Sequence, residues 1–445
     1  MQNSQNFTSG PIISKLVKFA LPVLGALILQ AMYGAVDLMV VGRFADKADV
    51  SAVSTGSQLM MGLTGIITGL SMGSTVLLGQ TLGAGRRDDA GRVIGGAICL
   101  FASVALFLSA VVAGLARPLC RVLQAPPEAF DQTVGYVTVC ALGMIFIAGY
   151  NVLAGLFRGM GDSRTPFIAV CIACVANIFG DLMLVAGLRL GSVGAALATV
   201  LSQGFSVLIC LPIIKKRGLP FPFHRKQVGF HRDVIADTVR LGAPIALQDL
   251  LVSVSFLGIV AIVNSLGVVV SAGVGVAEKL CSFVLLIPSA FMQSLSAFVA
   301  QNAGAQRDDR SRRAMLGGML ISFSMGLVIG GFAFFRGDLL AGLFARDPEV
   351  IAAAAEYLKA YAIDTLLVSF FFCFNGYFNG IGETRFVMFQ GLVSAFLVRL
   401  PFSWLMSRMT PVSLFRIGLA IPLSSVTQIV MCLFWFQYIH KKRAL

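Results

Sequence analysis

The chain has 445 residues, 57% of them hydrophobic and only 12% charged. That charge fraction is about half of what a soluble domain carries, so a soluble globular protein is excluded. The net charge of +13 does not point to nucleic acid. The basic residues sit in short loops between apolar runs, where the positive-inside bias of membrane proteins places them.

Apolar runs of about 20 residues, long enough to cross a bilayer, recur along the whole chain. No polar segment is long enough for a separate soluble domain. The opening "MQNSQNFTSGPIIS" reads as a polar tail. It lacks a basic start, a short apolar core and a cleavage site, so no removable signal peptide is expected. "NFT" at Asn6 matches the glycosylation triplet but falls in a tail expected to be cytoplasmic.

The first span is predicted over 14–42. Its stretch "QAMYGAVDLMVVG" carries Asp37 in the middle of an apolar run. A carboxylate at membrane depth is costly and by default faces a cavity, a partner or an ion pathway. Gln30, Tyr33 and Asp37 are spaced by three and four residues, so they share one helix face, and Pro22 and Ala26 continue it.

Spans two to six are predicted over 51–80, 92–116, 131–157, 165–188 and 191–214. Span five, through "VANIFGDLML", puts Asn177 and Asp181 on one face, and span six does the same for Thr199 and Gln203. At 1.5 Å per residue, Asp37 lies about 9 Å from the outer boundary, Asp181 about 10 Å, Thr199 about 12 Å and Asn177 about 16 Å. Four polar residues on three helices are thus expected at a similar depth. "CIAC", Cys171 to Cys174, is read as packing of small apolar residues. The three histidines, His224, His231 and His440, lie in the linker and the C-terminal tail, so no histidine metal cluster is expected.

The basic, proline-interrupted segment 215–233, "KKRGLPFPFHRKQVGFHRD", divides the chain. It separates an N-lobe, 1–214, from a C-lobe, 234–445. Spans seven to twelve are predicted over 234–264, 271–300, 312–335, 350–378, 385–407 and 413–438. With both termini on one side, the loops of that side hold far more Lys and Arg, so that side is expected to be cytoplasmic.

The two halves are repeats. "GQTLGAGRRDD" aligns with "AQNAGAQRDDR", pairing Gln80, Gly83, Ala84 and Arg86 with Gln301, Gly304, Ala305 and Arg307. At the same offset "AGLFRGMGDSR" aligns with "NGYFNGIGETR", pairing Gly155, Phe157, Gly159, Gly161 and Arg164 with Gly376, Phe378, Gly380, Gly382 and Arg385. "KFALP" at 18–22 matches "RLGAP" at 240–244. Six spans per half give both halves the same orientation, a parallel repeat of the kind that encloses a central cavity and works by alternating access.

The repeat separates architecture from chemistry. The loop signatures recur, so "GMGD" at 159–162 is read as a turn, not as a protease motif. Asp37, Asn177 and Asp181 do not recur, because their counterparts are near Ile259, Val398 and Phe402. The polar constellation therefore belongs to the N-terminal half. Two carboxylates in a low dielectric need a proton, a cation or a basic partner. No Lys or Arg of the first six spans sits at that depth. Oxygen ligands from two Asp, an Asn and a Thr suit a hard cation such as Na⁺, and a shared proton suits them equally. Interhelical hydrogen bonding is the bland alternative. In the second half, Glu278 with Lys279 and Glu356 with Lys359 read as locally compensated pairs. Asp364 is deep in span ten without an evident partner and could line a cavity. Arg399, beside Pro401, receives no assignment.

The twelve spans in two repeats, "KFALP", Q-x-x-G-A-x-R after spans two and eight, and "RGMGDSRTP" after span four together resemble the multidrug and toxic compound extrusion (MATE) exporters. The pattern is most similar to their DinF-like branch. The resemblance covers essentially the whole chain. It implies an all-α membrane protein with twelve transmembrane helices in two six-helix pseudo-symmetric bundles. It also implies a cation-coupling site at Asp37, Asn177, Asp181 and Thr199, a kinking proline at Pro22, and a pocket containing Gln30 and Tyr33. Gln203 and Asp364 join these as candidate substrate contacts. NorM-like relatives carry a Glu in span seven and an Asp in span ten. The matching positions here are Val252 and Val368, with Asp364 about one turn away, so no cation site is carried over to the C-lobe. Leu182 stands where many relatives have Pro.

The expectation is therefore an H⁺- or Na⁺-coupled antiporter that exports lipophilic or cationic drugs from the cytoplasm, in the inner membrane, as a monomer. No enzymatic activity, no cofactor beyond the coupling ion and no nucleic-acid partner are expected. A flippase for a lipid-linked precursor is the alternative; the acids where such a protein needs a cationic cavity disfavour it.

Overall fold

The computed structural model describes residues 6–444. Residues 1–5 of the polar tail lie outside the described residues. Among those described, every regular element is helical. In lipid a backbone must satisfy its own hydrogen bonds, and a helix does so within one segment. Among the described residues, eleven helices are long and apolar enough to cross a membrane, and one bent pair makes a twelfth.

The first six are α1 (Ile12–Phe44), α2 (Lys47–Gly83), α3 (Arg87–Gly114), α4, α5 and α6 (Gly191–Arg217). α4 is made of Phe130–Leu142 and Met144–Gly159, bent by 52°. α5 runs from Arg164 to Asp181 and continues in wide π-helical turns over Leu182–Gly187. The second six begin with α7 (Arg232–Asn264) and α8, which is Val268–Val284 followed by Leu286–Gly304. Then come α9 (Asp308–Gly342) and α10 (Pro348–Ile381). α11 comprises Thr384–Leu392, π turns over Val393–Arg399, and Leu400–Ser407. α12 comprises Leu414–Gly418 and Ala420–Ala444.

The predicted spans fall on these helices with two differences in kind. Span four is broken at Gly143, where a Cβ would overlap the Val200 side chain of α6. Spans five and eleven each contain π turns, which occur often at functional positions. The first set follows Asp181 and the second ends at Arg399.

Two compact units form. One holds residues 6–9, Lys18–Ala246 and Ala300–Gln306; the other holds Gly10–Val17, Leu247–Val299 and the chain from Arg307 onward. The beginning of α7 thus packs with the first unit. Gly73 of α2 abuts the Thr238 carbonyl and Gly242, and Gly69 abuts Ala246. Small residues permit this backbone approach. The linker also docks there: Gln227 lies against Gly91 and Gly95 of α3, and Arg92 pairs with Asp233 at 3.2 Å. Ile67, Leu78, Met144 and Tyr150 are buried in the core of the first unit. Ile259, Tyr357 and Ile417 are buried in the second.

Both repeated loop signatures have a physical role. Gly83 sits where a Cβ would overlap the Gln301 carbonyl, and Gly304 sits where a Cβ would overlap the Gln80 carbonyl. The two Q-x-x-G segments therefore cross reciprocally, each glycine against the other's glutamine. Gln301 also accepts from the Phe7 amide at 3.2 Å and donates to the Gly159 carbonyl at 3.0 Å. In "GMGD", Gly161 has φ +82° and its repeat partner Gly382 has φ +92°. Asp162 then accepts from the backbone N–H groups of Arg164 and Thr165 at 3.0 and 3.1 Å, starting α5. The motif is a turn, as the repeat argued. Gly161→Ala should cost about 1–2 kcal/mol, the penalty of a Cβ in the left-handed region. A thermal melt of the purified variant, set against the wild type, measures it.

The paired-charge reading of the second half needs correction. Neither Glu278 with Lys279 nor Glu356 with Lys359 forms an ion pair; those among the described residues lie elsewhere. Glu356 instead accepts from the Ser413 hydroxyl at 2.7 Å and the Phe415 N–H at 3.2 Å. It satisfies one orphan backbone donor at the start of α12, the Phe415 N–H.

Candidate functional site

The first unit brings together residues from α1, α5 and α6. Asp37 is 4% exposed, and Asn177 and Asp181 are fully buried. The Thr199 hydroxyl donates to Asp37 Oδ2 at 3.0 Å. Asp37 also faces the Asp181 carboxyl and the Asn177 amide. The equal depth expected from helix geometry is realised as direct contact between α1 and α6, with α5 alongside.

The site is rich in buried oxygen. Asp37 Oδ1, both Asp181 carboxyl oxygens and both polar atoms of the Asn177 amide are buried and make no hydrogen bond of good geometry, although the three side chains face one another. A buried acceptor left unsatisfied costs free energy, more so if it is ionised. No Lys, Arg or His among the described residues reaches ion-pair distance of either carboxylate. The donor set is therefore two carboxyls, an amide oxygen and a hydroxyl, all hard oxygens. Among the described residues no group of three His, Cys, Asp or Glu side chains converges.

The other face residues line up below Asp37. Tyr33 is 7% exposed and faces Asp37, Cys174, Tyr150 and the Ser202 hydroxyl. Gln30 faces the Tyr150 hydroxyl, which donates to the Pro166 carbonyl at 3.3 Å. Gln203 Oε1 is buried without a partner. α1 remains helical through Pro22, although proline removes one backbone donor and crowds the preceding turn. Asp364 is not with these residues; it lies in the second unit, where it accepts from Ser425.

Sequence reasoning missed α4. Tyr136 and Cys140, one turn apart and buried, lie near Asp37. Tyr150 sits further along the same bent span. A tyrosine within an apolar run signals a polar tip seeking a partner, but no spacing within α4 says that α1 supplies it.

The MatE family model matches twice, at residues 22–183 and 244–405, beginning at the paired prolines Pro22 and Pro244. The chain is 26% identical over 403 residues to the probable multidrug resistance protein YpnP of Bacillus subtilis (strain 168), covering 90% of each. It is 25% identical to the probable multidrug resistance protein NorM of Thermotoga maritima, covering 92% of this chain and 87% of that one. It is 22% identical to the multidrug export protein MepA of Staphylococcus aureus (strain MSSA476), covering 85% and 84%. The crystal structure of a MATE in complex with MaL6 superimposes with a TM-score of 0.93 at 20% identity, over 100% of both chains. An outward-facing multidrug resistance MATE family transporter gives 0.92 at 20% identity, over 100% of this chain and 99% of that one. These two likenesses show the fold.

Proposed function

We propose, given that the chain belongs to the MatE family of multidrug efflux transporters, that it is a cation-coupled antiporter exporting lipophilic, often cationic, compounds. The observation that carries this reading is the buried Asp37–Asp181 pair without a basic partner. Such a pair is costly when bare and comfortable when it holds a cation or a proton. An ion can occupy and leave it; a fixed arginine could not. Na⁺ and H⁺ both fit the oxygens of Asp37, Asn177, Asp181 and Thr199.

Ion binding would draw α1 toward α5 and α6 at Asp37. Pro22 removes one intrahelical bond near the other end of α1 and is the natural pivot. Substrate contacts fall to Gln30, Tyr33 and Gln203 on the same faces. Ion and substrate then compete for one unit, and each weakens the other's binding by the same factor. The ion shifts the equilibrium only as far as it prefers one state over the other. The protein is a multi-pass membrane protein; we place it in the inner membrane, and the loop charge bias supports cytoplasmic termini. A lipid-precursor flippase is not favoured, because the buried Asp37 and Asp181 carboxyls lie together with no basic side chain among the described residues at ion-pair distance.

Reconstituted vesicles loaded with a fluorescent cationic dye test the reading when sodium and proton gradients are imposed separately. Uphill dye export is expected with at least one gradient. Uphill export with neither would refute coupling. Thr199→Val removes the hydroxyl that bonds Asp37. Valine offers no oxygen to Na⁺, and bonds to charged groups are worth about 1.5–3 kcal/mol, so the sodium concentration for half-maximal sodium-driven efflux should rise about ten- to a hundredfold. A titration of efflux rate against the driving ion reads this shift.

A further inference from the structure

The basic linker between α6 and α7 is fixed to the first unit by apolar and amide contacts. Phe221 is buried in the core of that unit, and Leu219 and Phe223 pack against the same core. Gln227 Oε1 accepts from the His224 N–H at 2.9 Å, and Gln227 Nε2 donates to the Asp88 carbonyl at 3.4 Å. His231 Nε2 donates to the Gln227 carbonyl at 2.9 Å. Gly91 and Gly95 have no room for a Cβ against Gln227, so the turn sits directly on α3. Five basic side chains take no part in this docking. Lys215, Lys216, Arg225, Lys226 and Arg232 are exposed. Among the described residues none of the five forms an ion pair. Asp233 is the one acid of the segment, and Arg92 of α3 already pairs with it at 3.2 Å. Beside these cations, Phe230 is 72% exposed and Val228 41%.

α6 carries the first of these lysines to the edge of the bilayer. Leu201, Phe205, Leu208 and Pro212 are exposed and recur at helical spacing, and Lys215 completes their stripe. The stripe faces away from Thr199, which bonds Asp37, so it is the lipid side of α6. A lysine that ends such a stripe lies at headgroup depth. We propose that the linker is a binding site for anionic phospholipid headgroups. The five basic side chains face the phosphates, and Phe230 seats at the top of the acyl chains. A basic cluster beside a membrane span attracts anionic lipid, and bare apolar side chains among the charges insert at the headgroup boundary. Topology alone asks only that such a loop be basic. It does not ask that the loop be tied down, or that a phenylalanine stand bare beside the charges. Docking through Phe221 and Gln227 holds the cations in place before lipid arrives, so little ordering entropy is lost on binding. The site is separate from Asp37 and Asp181 and does not depend on the coupling reading.

Fluorescence quenching of the full-length protein in nanodiscs tests this. Phe230→Trp places a reporter in the linker, and its signal is read as the difference from the protein without that change. Phosphatidylglycerol and phosphatidylcholine with brominated chains are compared at equal mole fraction. Both should quench the reporter, and phosphatidylglycerol should do so at the lower mole fraction. Each basic side chain near an anionic surface is worth about fivefold in binding. The preference should therefore fall about fivefold with Arg225→Gln. Lys215→Gln, Lys216→Gln, Arg225→Gln, Lys226→Gln and Arg232→Gln together should bring the two lipids to parity. Arg312→Gln with Arg313→Gln, exposed basic residues of α9, should leave the preference unchanged. Equal quenching by the two lipids before any of these changes would overturn the proposal. So would a reporter that neither lipid quenches, a preference that survives all five substitutions, or an equal fall in the α9 control. Replacing chloride by inorganic phosphate at constant ionic strength separates a lipid site from a site for free phosphate. The preference should hold; its loss would overturn lipid as the occupant.

Discussion

Asp37→Asn or Asp181→Asn is expected to reduce gradient-driven dye efflux by about 5- to 150-fold, the range of a typical coupling free energy between two sites. The substitution keeps the side-chain shape and removes the charge. In Asp37→Asn the new amide oxygen can still accept from the Thr199 hydroxyl, which lies 3.0 Å from the carboxylate now. Neither carboxylate belongs to an ion pair, so removing it strands no buried cation. The variants should therefore fold and melt at or above the wild-type temperature. The two effects should not add, because the residues share one ion. Wild-type efflux in both variants, measured in reconstituted vesicles at matched protein content, would sink the site assignment.

A second large effect is expected where the repeats cross. Gly83→Val and Gly304→Val each drive a side chain into a backbone carbonyl, that of Gln301 or Gln80. A backbone cannot rotate aside as a side chain can. Overpacking of this kind costs about 1–3 kcal/mol or more, so both variants should lose several degrees of melting temperature or fail to accumulate. The reciprocity predicts similar losses from the two positions. Gly65→Ala is the control on the same helix α2: its Cβ would meet nothing within 4 Å. Alanine there should be neutral or stabilising by about 0.5–1 kcal/mol, the helix cost of glycine. Fluorescence-detected size exclusion after heating ranks the variants; equal behaviour of Gly65→Ala and Gly83→Val would contradict the crossing.

Much of this architecture can be read without coordinates, and the reason is the bilayer. A spanning helix must be long and apolar, so the twelve runs stand out, and the two glycine signatures reveal the repeat. The stripe Gln30–Tyr33–Asp37 is legible because helical spacing is local, and a common depth follows from counting residues to the loop. What spacing cannot give is the neighbour across the interface. Tyr136 and Tyr150 of α4 flank the α1 stripe, yet nothing in α4 names α1 as its partner. Gly143 packs against Val200, and Asp364 accepts from Ser425, each far away in sequence. Glu356 misled because Lys359 is close in sequence, whereas the donors at the start of α12 are close in space. Local periodicity places residues on faces; tertiary packing decides which faces meet.

The central claim is that substrate and ion displace each other through Asp37 and Asp181. Ion release on dye binding measures this directly, in weakly buffered detergent solution with a proton electrode and a sodium-selective electrode. Addition of the cationic dye to the wild type should release a proton or a sodium ion from each molecule that binds dye. Asp37→Asn and Asp181→Asn should bind the dye and release neither. Undiminished release from both variants would contradict the claim.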